Sequence, residues 1–189
     1  MSTGRFGPGR AWEAELEGGS IAEGLGGTGW YVDASPRWVV NEQFTLSGQW
    51  RYRSLPDWLL WSGGTSLGTY RLRQLYAGFG ADAFFGARHE LRVRLQWLGL
   101  GAEGRGAYQA SAGVPVRVPG RPADFSLATL AFQVRYRYTF GPLSDVYVVY
   151  GRGGDLFDEA RDRGLGSLWR DGLAQRDAEQ WLVKVRYLF

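Results

Sequence analysis

The sequence predicts an all-β fold, an antiparallel up-and-down transmembrane β-barrel with about eight strands in this chain, standing alone or as part of a larger barrel. Three observations carry that expectation. One segment alternates strictly with period two, the same pattern recurs along the chain, and the last strand ends on an aromatic residue. In the first segment Leu130, Phe132, Val134, Tyr136, Tyr138 and Phe140 alternate with Ala131, Gln133, Arg135, Arg137 and Thr139. Successive strand side chains point to opposite faces, so this run makes one apolar face and one polar face. About 9 to 11 residues are what a tilted strand needs to cross a bilayer, against five or six in an ordinary strand.

The recurrences are taken in chain order. Weaker candidates run from Trp12 to Glu17 and from Trp30 to Val40. Phe44, Leu46, Gly48, Trp50 and Tyr52 oppose Thr45, Ser47, Gln49, Arg51 and Arg53. Tyr70 to Gly80 is weaker again, whereas Leu91, Val93, Leu95 and Trp97 oppose Glu90, Arg92, Arg94 and Gln96. Val146 to Tyr150 is apolar on both sides, and Trp181, Val183, Val185, Tyr187 and Phe189 close the chain. Tight connections at Asn41-Glu42, Asp82 to Ala87 and Gly141 to Ser144 alternate with longer ones at Gly18 to Thr28, Ser54 to Thr69, Gly101 to Ser126 and Arg152 to Ala178. Short turns on one rim and long loops on the other are the outer-membrane pattern. The segment from Asp155 to Asp177 is charged and glycine-rich, with room for short helical turns. No composition break divides residues 1–189, which read as a single barrel domain or the C-terminal part of one.

The 189 residues are 44% hydrophobic and 15% aromatic, with 9 Trp, 10 Tyr, 10 Phe and 29 Gly. Mean hydropathy is nevertheless only −0.28, as alternation of lipid-facing and lumen-facing residues demands. The net charge of +3 is spread through strand-like segments rather than gathered in a basic tract, which speaks against a nucleic-acid partner. Absence of cysteine excludes disulfides, thiolate metal sites and a Cys nucleophile. No run approaches the 18 or so apolar residues of a membrane helix. The opening MSTGRFGPGRAWEAELEGG holds no signal-peptide h-region, so the expectation is a C-terminal piece of an exported protein or a start placed too far downstream.

The closing WLVKVRYLF resembles the C-terminal assembly signal of outer-membrane barrels, which the barrel-assembly machinery reads. Trp181, Val183, Val185, Tyr187 and Phe189 are its signal positions. The stretches FQVRYRYTFGPLSDVYVVYGRGGD and QWLVKVRYLF, and less closely FFGARHELRVRLQWLGL, resemble the C-terminal barrel of uncharacterised bacterial envelope proteins. In those proteins a carbohydrate-binding module of the family-nine-like type precedes the barrel. The likeness covers about the last hundred residues, and the module is absent here. It implies a Gram-negative outer-membrane address with lipid as the surrounding partner, in the tail of such a protein and in a barrel with room for more than eight strands; the expected role, envelope transport of an anionic or saccharide solute or simple anchoring, comes from the barrel reading itself.

Arg51, Arg53, Arg92, Arg94, Arg135, Arg137 and Arg186 are the expected lumen-lining residues, joined on the inward set by Arg71, Arg73 and Lys184. Glu13, Glu15, Glu17, Asp33 and Glu90 are the available counter-charges. A cationic lumen would attract anions. A closed eight-stranded barrel, however, is only wide enough to be filled by its own side chains, and the ions would then pair as a plug. The single His89 falls near the tight-turn rim and reads as a strand-end residue rather than a general base. No nucleophile elbow or metal-spaced His pair is present, and Gly151 to Asp155 lacks the helix and Lys-Ser/Thr of a phosphate loop. The expectation is therefore no enzyme and no cofactor. A soluble antiparallel ligand-binding module is the alternative, and it would hide Phe132, Val134 and Tyr136 from water. An outer-membrane hydrolase is the third reading.

Overall fold

A computed structural model describes residues 2–6 and 11–188, with side chains described from residue 11 onward. The chain is an all-β antiparallel sheet with one short helix. Its strands are β1 (Ser2–Phe6), β2 (Trp12–Ala22), β3 (Thr28–Asn41), β4 (Phe44–Gly63), β5 (Ser66–Phe85), β6 (His89–Ser111), β7 (Val114–Val118), β8 (Phe125–Gly141), β9 (Ser144–Asp158) and β10 (Ala178–Arg186). Nine of them lie in the order β1-β2-β3-β4-β5-β6-β8-β9-β10, and β7 folds back on the far end of β6. Among the described residues the sheet is open, with β1 and β10 at its two edges. The expected closure into a barrel is not present.

Register places all the well-patterned strands in phase. Val93 pairs with Val134, Val134 with Tyr150 and Tyr150 with Trp181, one apolar row across four strands. Arg94 pairs with Gln133, Gln133 with Gly151 and Gly151 with Gln180, one polar row beside it. Cross-strand partners share a face, so one face of the sheet is apolar and the other charged. The lone apolar-on-both-sides segment is thereby assigned: Val146, Val148 and Tyr150 sit on the apolar face, and Tyr147 and Val149 on the charged one.

Two expected long loops are mostly strand, and a third is part strand and part helix. Ser54 to Thr69 is the end of β4 and the start of β5, meeting at Gly64-Thr65 with Gly64 at φ +56°. Pro56 falls where the β4–β5 register slips between Leu55 and Trp58. A bulge leaves an unpaired residue, so the missing N–H of proline costs no ladder bond there. Gly101 to Ser126 is the continuation of β6 and its hairpin with β7, leaving residues 119–124 as loop. Arg152 to Ala178 begins as strand through Asp158 and contains α1 (Leu165–Ala174). Gly151 to Asp155, expected to leave the sheet, stays paired inside β9.

The extended far half of the sheet is packed on both sides. On the charged face Leu55, Tyr70, Leu72, Leu100 and Ala102 are buried together, with Trp58 and Phe125 ringed against Tyr70. On the apolar face α1 seats Leu168 and Gly172 on Trp97, Ala128 and Leu130. Trp169 meets Trp97 edge to face at 5.0 Å. A Cβ on Gly172 would come within 2.7 Å of Trp97 Nε1, so glycine is what lets the helix lie this close. Arg152 holds the helix end by donating from its guanidinium to the carbonyls of Leu173 and Gln175. Those carbonyls have no intrahelical partner, and a cation there suits the helix dipole.

Trp97 is 1% exposed and joins helix to sheet, so Trp97→Ala should destabilise the fold by about 3–5 kcal/mol. Denaturant unfolding measures it, and a loss below 1 kcal/mol would contradict this packing.

Candidate functional site: the charged face and the exposed apolar face

The near half of the sheet, toward the tight turns at residues 42–43, 86–88 and 142–143, is built differently. No element covers its apolar face among the described residues. Trp12, Trp38, Trp50, Phe79, Val183 and Val185 are all on that face and exposed, and Trp181 is 70% exposed. Leu95, Phe132 and Val134 lie between them on the same face. Aromatic rings gather toward the turn rim, where His89 stacks on Tyr138 and Phe140 on Tyr187. At about 3.3 Å per residue, the stretch from His89 to Trp97 runs roughly 26 Å along the strand.

The opposite face of this half carries the ions. Arg92 and Arg135 stand directly opposite each other on β6 and β8, an arrangement that repels unless bridged. Glu90 bridges it, pairing with Arg92 and, at 3.4 Å, with Arg135. Asp82 takes both oxygens to Arg94 at 2.7 and 2.9 Å and lies 3.7 Å from Arg92. Asp145, buried to 0% exposure, accepts from Arg137 at 3.1 Å and Arg186 at 2.6 Å. The result is a continuous ladder from Arg94 through Asp82, Arg92, Glu90, Arg135 and Arg137 to Asp145 and Arg186. Five guanidinium groups share three carboxylates along it, so an excess of positive charge remains. Arg51 pairs with Asp33 at 2.6 Å and Arg53 with Glu23 at 3.0 Å toward the other edge, where Glu17 accepts from the Tyr31 hydroxyl at 2.7 Å.

All seven arginines expected to line a lumen therefore share one face. Arg71 and Arg73 do not: Arg73 alternates with Leu72 and Gln74, falls on the apolar-face side and binds Asp162 just ahead of α1. Arg71 follows it there, opposite Glu103. Their parity is fixed along β5 itself, which pairs with β6 without a slip from Tyr70 to Phe85 and so puts Arg71 and Arg73 on the face of Phe79. Asp82 and Asp145 are the counter-charges that pattern reading missed, because both adjoin turns and were counted with them. Their even spacing from Gly80 and Tyr147 was the available signal.

Two grooves of about 700 and 320 Å³ lie on the charged face and share Arg94 and Gln96. Gly78, Gly80, Gly151 and Gly153 form their floors, and the absent side chains leave the space. Gln96, Gln133 and Gln180 line the larger one. His89 has its Nδ1 2.6 Å from the Tyr136 hydroxyl, a strand-end contact. Among the described residues no group of three His, Cys, Asp or Glu is placed to hold a metal ion. Of the terminal signal positions, Trp181, Val183 and Val185 lie on β10 facing the apolar side, and Tyr187 follows just beyond the strand; Phe189 lies outside the described residues. β10 is exposed along its whole length on both faces.

Replacing Asp145 by Asn leaves Arg137 and Arg186 without their shared buried anion. The midpoint of denaturant unfolding is expected to fall, since two guanidinium groups lose a charge-assisted acceptor. An unchanged midpoint would mean the ladder does not contribute.

Comparison of the chain with family models, with curated proteins and with solved structures found no match, so the resemblance drawn from its C-terminal stretches rests on those residues alone.

Proposed function

We propose that this chain is an outer-membrane β-barrel, or the C-terminal portion of one, that inserts its apolar face into lipid and encloses its charged face. The observation that carries the reading is the pairing of an uncovered apolar face with a charged face on the same strands; the apolar face runs roughly 26 Å along β6, which at a barrel's usual tilt would span roughly 20 Å of a ~25 Å outer-membrane apolar band. An apolar patch far above a few hundred Å² is a liability in water and an asset in hydrocarbon. Strand parity is compatible with closure. Along an all-antiparallel path, β1 and β10 run the same way, and antiparallel closure needs an even number. The eight strands from β2 to β10 along the path supply it once β10 replaces the short β1 on the free edge of β2; further strands of a longer protein, odd in number, would serve equally. The exposed β10, ending in the terminal aromatic pattern, is the edge the barrel-assembly machinery would engage.

In the eight-stranded form the barrel is an anchor rather than a pore. Its interior would hold the ion ladder at one end and the Leu55, Tyr70 and Phe125 cluster at the other, and eight strands enclose little more than side chains. Anion or saccharide passage is the second reading. Surplus guanidinium charge and the glutamine-lined groove favour it if more strands widen the ring. A soluble ligand-binding sheet would need a cover for the band through Phe132, Val134 and Tyr136.

Two substitutions on neighbouring residues test the lipid face. Val134→Arg should cost about 2–4 kcal/mol in lipid vesicles, whereas Gln133→Arg on the charged face should cost far less. Equal costs in urea titrations of the reconstituted protein would overturn the assignment of faces. Planar-bilayer recording separates anchor from channel. The anchor predicts silence, and anion-selective conductance lost on changing Arg92, Arg94 and Arg135 to Gln would replace it with the channel.

A further inference from the structure

The apolar face does not stay apolar along the strands. Above Trp97 it turns charged, with Arg73 bound to Asp162 and Arg71 3.8 Å from Glu103. α1 lies across that border. Its N-terminal approach touches Gly101 through Asp162, and its C-terminal end is held by Arg152, one position further along β9 than the apolar Tyr150. The helix buries Leu168 and Gly172 against the sheet, yet Trp169 and Leu173, one turn apart, remain 36% and 39% exposed.

Most of the acids around the helix are engaged: Asp162 by Arg73, Asp171 by Arg163, Asp177 by the Asp155 backbone N–H at 2.8 Å, Asp158 by the Ala160 backbone N–H at 3.2 Å and Glu179 by the Tyr150 hydroxyl at 2.8 Å, which leaves the Asp155 and Glu159 carboxylates as the local counter-charges. Arg161, Arg170 and Arg176 are exposed and make no ion pair among the described residues. A short helix therefore sits where an apolar wall meets a charged one, showing Trp and Leu beside three uncommitted guanidinium groups. Trp favours the level of lipid headgroups, and arginine stems reach from apolar surface to polar heads.

We propose that α1 and its flanks form a docking surface for the anionic phosphate headgroups of bilayer lipid, with Arg161, Arg170 and Arg176 as the contacts and Trp169 and Leu173 resting in the interface. Guanidinium matches phosphate in charge and in paired donor geometry. This inference rests on the membrane reading above, and it adds a preference for one lipid class at one leaflet.

The chain has no cysteine, so single probes are clean. Bimane is attached at Gly166→Cys, where a side chain meets nothing within 4 Å, or at Val183→Cys on the apolar band. The full chain is reconstituted in phosphatidylcholine vesicles containing spin-labelled phosphatidylglycerol or spin-labelled phosphatidylcholine. Near residue 166 the expected association constant favours phosphatidylglycerol by about fivefold or more, the factor that ~1 kcal/mol per basic residue implies. High salt should weaken it, and the combined variant Arg161→Gln, Arg170→Gln, Arg176→Gln should abolish it while the probe at 183 stays quenched by both lipids. Quenching at 183 with no headgroup preference at 166, or a preference surviving the triple variant, overturns this inference and leaves the membrane reading intact. No quenching at 183 overturns both.

Discussion

Everything in this molecule depends on the two-residue period of the extended chain being held in register across nine hydrogen-bonded strands. Side chains on a strand point alternately to opposite faces, and a slip of one residue would exchange the faces entirely. Because Val93, Val134, Tyr150 and Trp181 fall in one row and Arg94, Gln133 and Gln180 in the next, the sheet separates apolar from ionic surface as a whole. At the Pro56 bulge, one of several places where the register slips, an added residue keeps Leu55 and Trp58 together on one face. Lost phase there would have split the aromatic cluster.

That separation creates two halves with different needs. The far half carries its own packing on both faces, with the Leu55 and Tyr70 cluster on one side and α1 on the other. The near half is a single layer whose charged face is satisfied by an internal ladder and whose apolar face is covered by nothing among the described residues. Burying apolar surface is the main favourable term in folding. On the proposed reading, hydrocarbon on the apolar face and an enclosed, hydrated interior on the charged face would meet the needs of both faces. The open edges at β1 and β10 are the remaining expense of the isolated sheet, since unpaired strand edges invite pairing.

Sequence pattern disclosed the near half well and the far half poorly, for a physical reason. In the near half one face is polar, so Leu130 to Phe140 and Glu90 to Trp97 declare their period and the arginines their face. In the far half apolar residues stand on successive positions and glycines interrupt both faces, so Leu55 to Trp61 and Gly101 to Gly106 show no alternation and read as loops. Pro56, Gly64 and Gly113 each mark a bulge or a two-residue turn inside these hairpins. The site was legible to the same degree. Arg51, Arg92, Arg94, Arg135, Arg137 and Arg186 follow from parity alone, whereas Asp145 depends on a turn only two residues long; parity along β5 also places Arg73, on the face opposite the one expected for it. Whether the sheet closes was legible in neither its composition nor its period.

The account stands on the apolar face meeting lipid while the face behind it does not. A nitroxide scan along β8, one cysteine at a time from residue 130 to 138 in the reconstituted chain, measures oxygen against water-soluble relaxant accessibility directly. The account predicts oscillation with period two, with oxygen accessibility high at Phe132, Val134 and Tyr136 and low at Gln133, Arg135 and Arg137. Uniformly water-accessible profiles, or an oscillation of opposite phase, would contradict it.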